Sequence, residues 1–148
     1  MKPQTIDDIS SAARVSRHPF PAWMLRRRRL ERLAELLEAA PTPARLFVTM
    51  ECYPRRDRLM LRQEGSPLFV AFADPLFRRE GLTGDSVADG VAFFGLSLRE
   101  AHALLCDCGY GGVMRMGAPL NGLIAARARR LASKRTFAEW RDRIVAWI

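Results

Sequence analysis

The densest set of metal-ligating side chains in the sequence is His102-x-x-x-Cys106-x-Cys108. On a helix, positions four apart lie one turn from each other on the same face, as two metal ligands must. Cys108 falls just beyond, and Cys52 would complete a Cys3His zinc site. The spacing is not of the CxxC type, and cysteine commonly serves as a small buried hydrophobe. The expectation is therefore no cofactor, with zinc on Cys52, His102, Cys106 and Cys108 as the alternative. The His102–Cys106 pair makes a poor nucleophilic dyad, because a thiol at a helix C-terminus faces the negative end of the dipole, which opposes thiolate formation. His18 and His102 are the only histidines, and no G-x-S-x-G is present. Gly109-Tyr110-Gly111-Gly112 has no GK[ST] after it and no strand before it, so it reads as a turn and not a phosphate loop. Asp85 and Asp89 read as a solvated helix face. No catalytic constellation emerges, and the chain is expected not to be an enzyme.

Two arginine clusters stand out more clearly. Arg26, Arg27, Arg28, Arg29 and Arg32 fall in the first turns of a predicted helix, where cations oppose the dipole and repel one another. Arg127, Arg130 and Lys134, with Arg129 and Arg135 beside them, gather near the end of a later helix, where positive charge helps locally. The chain has 24 Lys+Arg against 16 Asp+Glu, a formal net charge of +8. Of the 24, only Lys2 and Lys134 are lysine, a bias that a GC-rich genome would produce without any partner. Placement is more telling than number. Residues 1–40, 41–80 and 113–148 carry +3, +2 and +6, whereas 81–112 carries −3. Such asymmetry fits a polyanion-binding surface and equally fits solvated helix faces.

The elements that would position these residues follow from periodicity and punctuation. At 148 residues, 49% hydrophobic and 27% charged, the chain is one ordinary domain, neither a disordered chain nor a large multidomain enzyme. Residues 1–20 read as a flexible N-terminal arm and 21–148 as a single helix-rich domain. A helix is predicted from Trp23 to about Ala39, with Leu30, Leu33, Leu36 and Leu37 at helical spacing and Pro41 and Pro43 after it. Asp85 is a candidate cap for a helix ending near Gly95. Ser97 and Glu100 form a capping box for a helix running to Cys106. Pro119 opens a further helix. Thr136 and Glu139 suggest a capping box for the last one, whose Phe137, Trp140, Ile144 and Trp147 stripe reads as core.

Residues 45–75 are ambiguous. Alternation through Leu46, Val48 and Met50 and through Leu59 and Leu61 predicts a short β-hairpin at 46–62. Residues 66–73 read either as a third strand or, from Ser66-Pro67, as a capped helix. The expected fold is thus mainly α, a compact multi-helix domain with that hairpin. The alternative is α+β, with a three-stranded antiparallel sheet at 45–73.

Phe93-Phe94-Gly95-Leu96-Ser97-x-x-Glu100-Ala101-x-x-Leu104 resembles a motif of small uncharacterised proteobacterial proteins that have a Leu-rich first helix and a Phe-x-x-Met segment soon after. Phe47 and Met50 match that segment. Such relatives carry Cys-Gly-Thr-x-x-Cys next, where this chain has Glu64-Gly65-Ser66 and neither cysteine. The resemblance covers about half the chain. It implies a mainly helical fold and a helix start at Ser66-Pro67, and it implies no activity.

The N-terminal MKPQTIDDIS carries two acids and no apolar h-region, and three cysteines make no disulfide framework, so a reduced, cytoplasmic protein with no membrane partner is expected. The leading expectation for function is a non-enzymatic binding protein whose arginine surfaces contact nucleic acid or a nucleoprotein. Its contact residues would be Arg26–Arg29, Arg32, Arg127, Arg130 and Lys134. The competing expectation is a protein-interaction module, an inhibitor or adaptor in a phage or defence setting, that grips an acidic partner.

Overall fold

Leucine at 30, 33 and 37, with Ala34 between them, puts a continuous apolar stripe on one side of helix α1 (Ala22–Ala39), and all four residues are buried. The computed structural model describes residues 20–47, 59–107, 110–111, 120–135 and 137–147. Among these, seven helices follow in order: α1, α2 (Pro67–Ala73), α3 (Pro75–Glu80), α4 (Val87–Phe94), α5 (Leu98–Leu105), α6 (Leu120–Ser133) and α7 (Phe137–Trp147). The fold is mainly helical, and no sheet occurs among the described residues.

α6 lies along α1 over most of their lengths. Arg26 near the start of α1 reaches the Leu131 carbonyl late in α6, while Asn121 at the start of α6 bonds the Thr42 carbonyl and the Ala44 N–H just after α1. The two helices therefore run antiparallel. The α6 side of this seam is Ile124, Ala125, Ala128 and Ala132, all buried, and three small residues let the backbones approach closely.

The helices from α2 to α5 are six to eight residues each. Such lengths are marginal alone, and each is fixed at its start by a side-chain cap. Ser66 accepts from the Phe69 N–H ahead of Pro67, and Asp74 accepts from the Leu76 N–H ahead of Pro75. Ser86 with Asp89, and Ser97 with Glu100, form reciprocal capping boxes. Gly81 and Gly95, at φ of 113° and 62°, supply the left-handed residues that end α3 and α4. Phe77 of α3 meets Phe93 and Phe94 of α4 edge-to-face, with ring centroids 5.1–5.5 Å apart among the three.

The Ser66-Pro67 helix start and the Ser97–Glu100 capping box are as the sequence predicts. Three expectations are corrected (the three-stranded sheet, the Asp85 cap and the Asp85–Asp89 solvated face), and the hairpin lies mostly beyond what the structure describes. Residues 67–73 are helical, so the three-stranded sheet at 45–73 is excluded by its third member. The hairpin at 46–62 falls mostly on residues outside the described ones; at its edges Phe47 forms an isolated parallel bridge with Cys106, and Leu59 and Met60 are helical. The cap of α4 is Ser86 and not Asp85. Asp85 is buried and accepts a 2.6 Å bond from Arg62, and Asp89 belongs to the capping box, so the pair is not a solvated face.

Phe77 is 1% exposed at the centre of its aromatic trio. Truncation to Ala is expected to cost about 3–5 kcal/mol of unfolding free energy, because the surrounding rings cannot collapse into the space. Urea denaturation of Phe77→Ala against wild type measures this directly.

Candidate binding surface

Every arginine of the α1 run has a carboxylate partner in its own molecule, although Arg28 stays half exposed. Arg26 donates to the Glu100 carboxylate at 2.6 Å, to the Leu131 carbonyl at 3.0 Å and to the Gly95 carbonyl at 3.2 Å. Arg27 donates to the Ala132 carbonyl and, through one nitrogen, to both carboxylate oxygens of Glu139. Arg28 and Arg29 share Glu80, and Arg29 also reaches the Phe93 carbonyl at 2.9 Å while its guanidinium lies 3.9 Å from the Phe93 ring centroid. Arg32 pairs with Asp74 in a two-pronged bond, 2.6 and 2.9 Å.

These carbonyl partners share a position. Phe93 and Gly95 close α4, and Leu131 and Ala132 close α6, so the guanidinium groups occupy the negative ends of two neighbouring helices. The charge that opposes the dipole of α1 complements two other dipoles. Burial pushes the Glu100 carboxyl upward, but the Ser97 N–H and the charge of Arg26 outweigh it and hold the group below its usual range. The bond from Arg32 holds Asp74 low in the same way, against burial and with help from the Leu76 N–H.

The second cluster divides. Arg127 lies 4.1 Å from the Tyr110 ring centroid and donates to the Ala103 carbonyl at 2.6 Å. Tyr110 is buried, its hydroxyl donates to the Leu104 carbonyl, and desolvation pushes its phenol up to about 12. Arg129 pairs with Glu38. Arg130, Lys134 and Arg135 are exposed, and none forms an ion pair with a described residue. Of the zinc candidates, Cys52 and Cys108 lie outside the described residues. Cys106 is buried in extended backbone just past α5, with its thiol 3.5 Å from Asp107, and His102 is half-buried. No group of three or more His, Cys, Asp or Glu side chains among the described residues could hold a metal.

α7 reverses the expectation for its stripe. Glu139 is almost wholly buried between Arg27 and Arg143, and Asp142 accepts from the Trp23 indole at 2.9 Å. The face that docks on α1 is therefore the charged one. Phe137 is 78% exposed, Trp140 56%, Val145 66% and Ile144 39%, so the stripe read as core lies outward. Phe137 and Trp140 have ring centroids 6.3 Å apart at 32°. Arg141 and Arg143 beside them are exposed. The Trp147 side chain and Thr136 lie outside the described residues. Periodicity marked these residues as one face; what decided its direction was the match of Glu139 and Asp142 to Arg27 and Trp23, more than a hundred positions away.

No helix of the described residues is long and apolar enough to cross a membrane. No family model matches the chain, and neither the curated proteins nor the solved structures give a significant match.

The Arg32–Asp74 pair sets a pH dependence. A carboxyl lowered by folding adds stability above its ordinary value of 3.8, and that stability is lost as pH falls through the lower, folded value. Urea unfolding of wild type from about pH 5 to about pH 2 is expected to fall more steeply than that of Asp74→Asn, by about 1–2 kcal/mol. Equal slopes would show that the pair contributes nothing to folding.

Proposed function

We propose that this chain is a non-enzymatic protein-interaction module whose docking surface is the outward face of α7. One observation carries the reading: a helix tied to the body by its carboxylates leaves two aromatic and two aliphatic side chains on the outside. Scattered exposed apolar residues are ordinary, but a contiguous ridge of them bordered by charge is typical of an interaction site. Aromatic anchors next to arginine are also the residue types that dominate binding energy at protein interfaces.

The arginine run of α1 gives less support to a nucleic-acid surface than its sequence suggests, because its guanidinium groups are engaged by Glu80, Asp74, Glu100 and Glu139. A second reading, phosphate binding, rests on Arg130, Lys134 and Arg135 at the end of α6, which stay exposed without an ion pair among the described residues.

Affinity purification from the native host, with and without nuclease, separates the two readings. The module reading predicts one stoichiometric protein that survives nuclease and is lost from Trp140→Glu/Ile144→Glu, whose thermal midpoint stays within a few degrees of wild type. It also predicts that Arg130→Ala/Lys134→Ala retains the partner. A complex that dissolves with nuclease, and with the α6 pair but not the α7 pair, would replace this reading with nucleic-acid binding.

A further inference from the structure

We infer that the occupant of the α7 face is an amphipathic helix of another protein, with an apolar stripe bordered by Asp or Glu; this rests on the α7 docking reading above. The shape of the face comes first. Phe137, Trp140, Arg141 and Ile144 stand at i, i+3, i+4 and i+7, the register in which one helix presents anchors to another. From Phe137 to Ile144 the ridge rises about 10 Å, two turns of helix at about 1.5 Å per residue. A ridge of this length fits the groove between rows of side chains on a facing helix.

Charge then selects the partner. Of the two acids of α7, Glu139 is buried and held by Arg27 and Arg143, while Asp142 is part-exposed and receives the Trp23 indole on one oxygen and Arg141 on the other. The most exposed charges beside the ridge are cationic, Arg141 and Arg143. Arg141 is two-thirds exposed, and its one ion pair among the described residues is with its chain neighbour Asp142, at 3.4 Å. Arg143 is half exposed despite its bond to Glu139, and Arg135, two positions before Phe137, is exposed. A ridge of aromatic and aliphatic groups with a cationic border is complementary to an apolar stripe with an anionic border. A second copy of this chain is a poor fit. Two-fold pairing of antiparallel α7 helices about their midpoint brings the two Arg141 side chains together, and like charges at an interface cost affinity. Nucleic acid would meet the cations and could stack on Phe137 and Trp140, but it offers nothing to Ile144 and Val145.

The full-length chain, immobilised, is panned against a display library of helical miniproteins randomised on one face, and the enriched clones are measured against variants. The inference predicts enriched clones with apolar residues at helical spacing and Asp or Glu on the flanks. Their affinity should fall about tenfold or more on Trp140→Ala. It should fall severalfold on Arg141→Glu and weaken with added salt. Both positions are exposed, so circular dichroism and thermal melting should match wild type. Trp140-dependent clones that carry no acids would overturn the inference and leave the docking reading standing. Acidic clones indifferent to Trp140 would overturn both. Sedimentation showing a dimer that Trp140→Glu dissociates would make the occupant a second copy. Trp140-dependent binding of a labelled single-stranded oligonucleotide, with no clone enriched, would make it nucleic acid.

Discussion

Five arginines within two turns of one helix repel one another and oppose its dipole, and the carboxylates and carbonyls that converge on them organise this molecule. α1 draws Asp74 from the cap of α3, Glu80 from its end, Glu100 from the first turn of α5 and Glu139 from α7. It also draws the terminal carbonyls of α4 and α6. One basic helix is thereby in polar contact with five of the other six helices among the described residues. The apolar stripe of Leu30, Leu33 and Leu37 supplies the driving force for burial, and it is non-directional. The guanidinium groups add direction, since each planar fork accepts its partners in few geometries. Arg26 illustrates the point: a single side chain joins the α4–α5 corner to the end of α6.

This arrangement also explains why so many short helices coexist. α2 to α5 each begin at a capping side chain, and two of the caps double as arginine partners: Asp74 caps α3 and binds Arg32, while Glu100 completes the capping box of α5 and binds Arg26. Local and tertiary interactions thus use the same carboxylates. Removing either kind of contact leaves the other partner group buried and incompletely bonded, a loss larger than the net value of one hydrogen bond.

How much of this the sequence revealed depended on the range of the interaction. The bounds of α1, the Ser66-Pro67 start and the Ser97–Glu100 box were legible because caps, prolines and leucine spacing act within a turn or two. The Ser86–Asp89 box carried the same signal and was obscured by the neighbouring Asp85. The arginine run was the opposite case. Leucine spacing places it on its helix, but the local dipole cost on its own points only toward an outside ligand. The carboxylates that satisfy it lie 42 to 112 residues away, and nothing in local spacing announces them. The α7 stripe failed for a related reason. Periodicity groups residues on a face and is silent on which face turns inward, and here an ion pair overrides the usual preference for burying the apolar side.

Exposure of the α7 ridge depends on that override. If α7 is held by Glu139 and Asp142, its aromatic ridge must face away and offers a surface to a partner. If it is not, the ridge could pack inward and the docking site disappears. A double-mutant cycle on Arg27→Ala and Glu139→Gln, read by urea unfolding, addresses the point directly. A coupling energy of about 1–3 kcal/mol between the two positions is expected. Coupling indistinguishable from zero would contradict it.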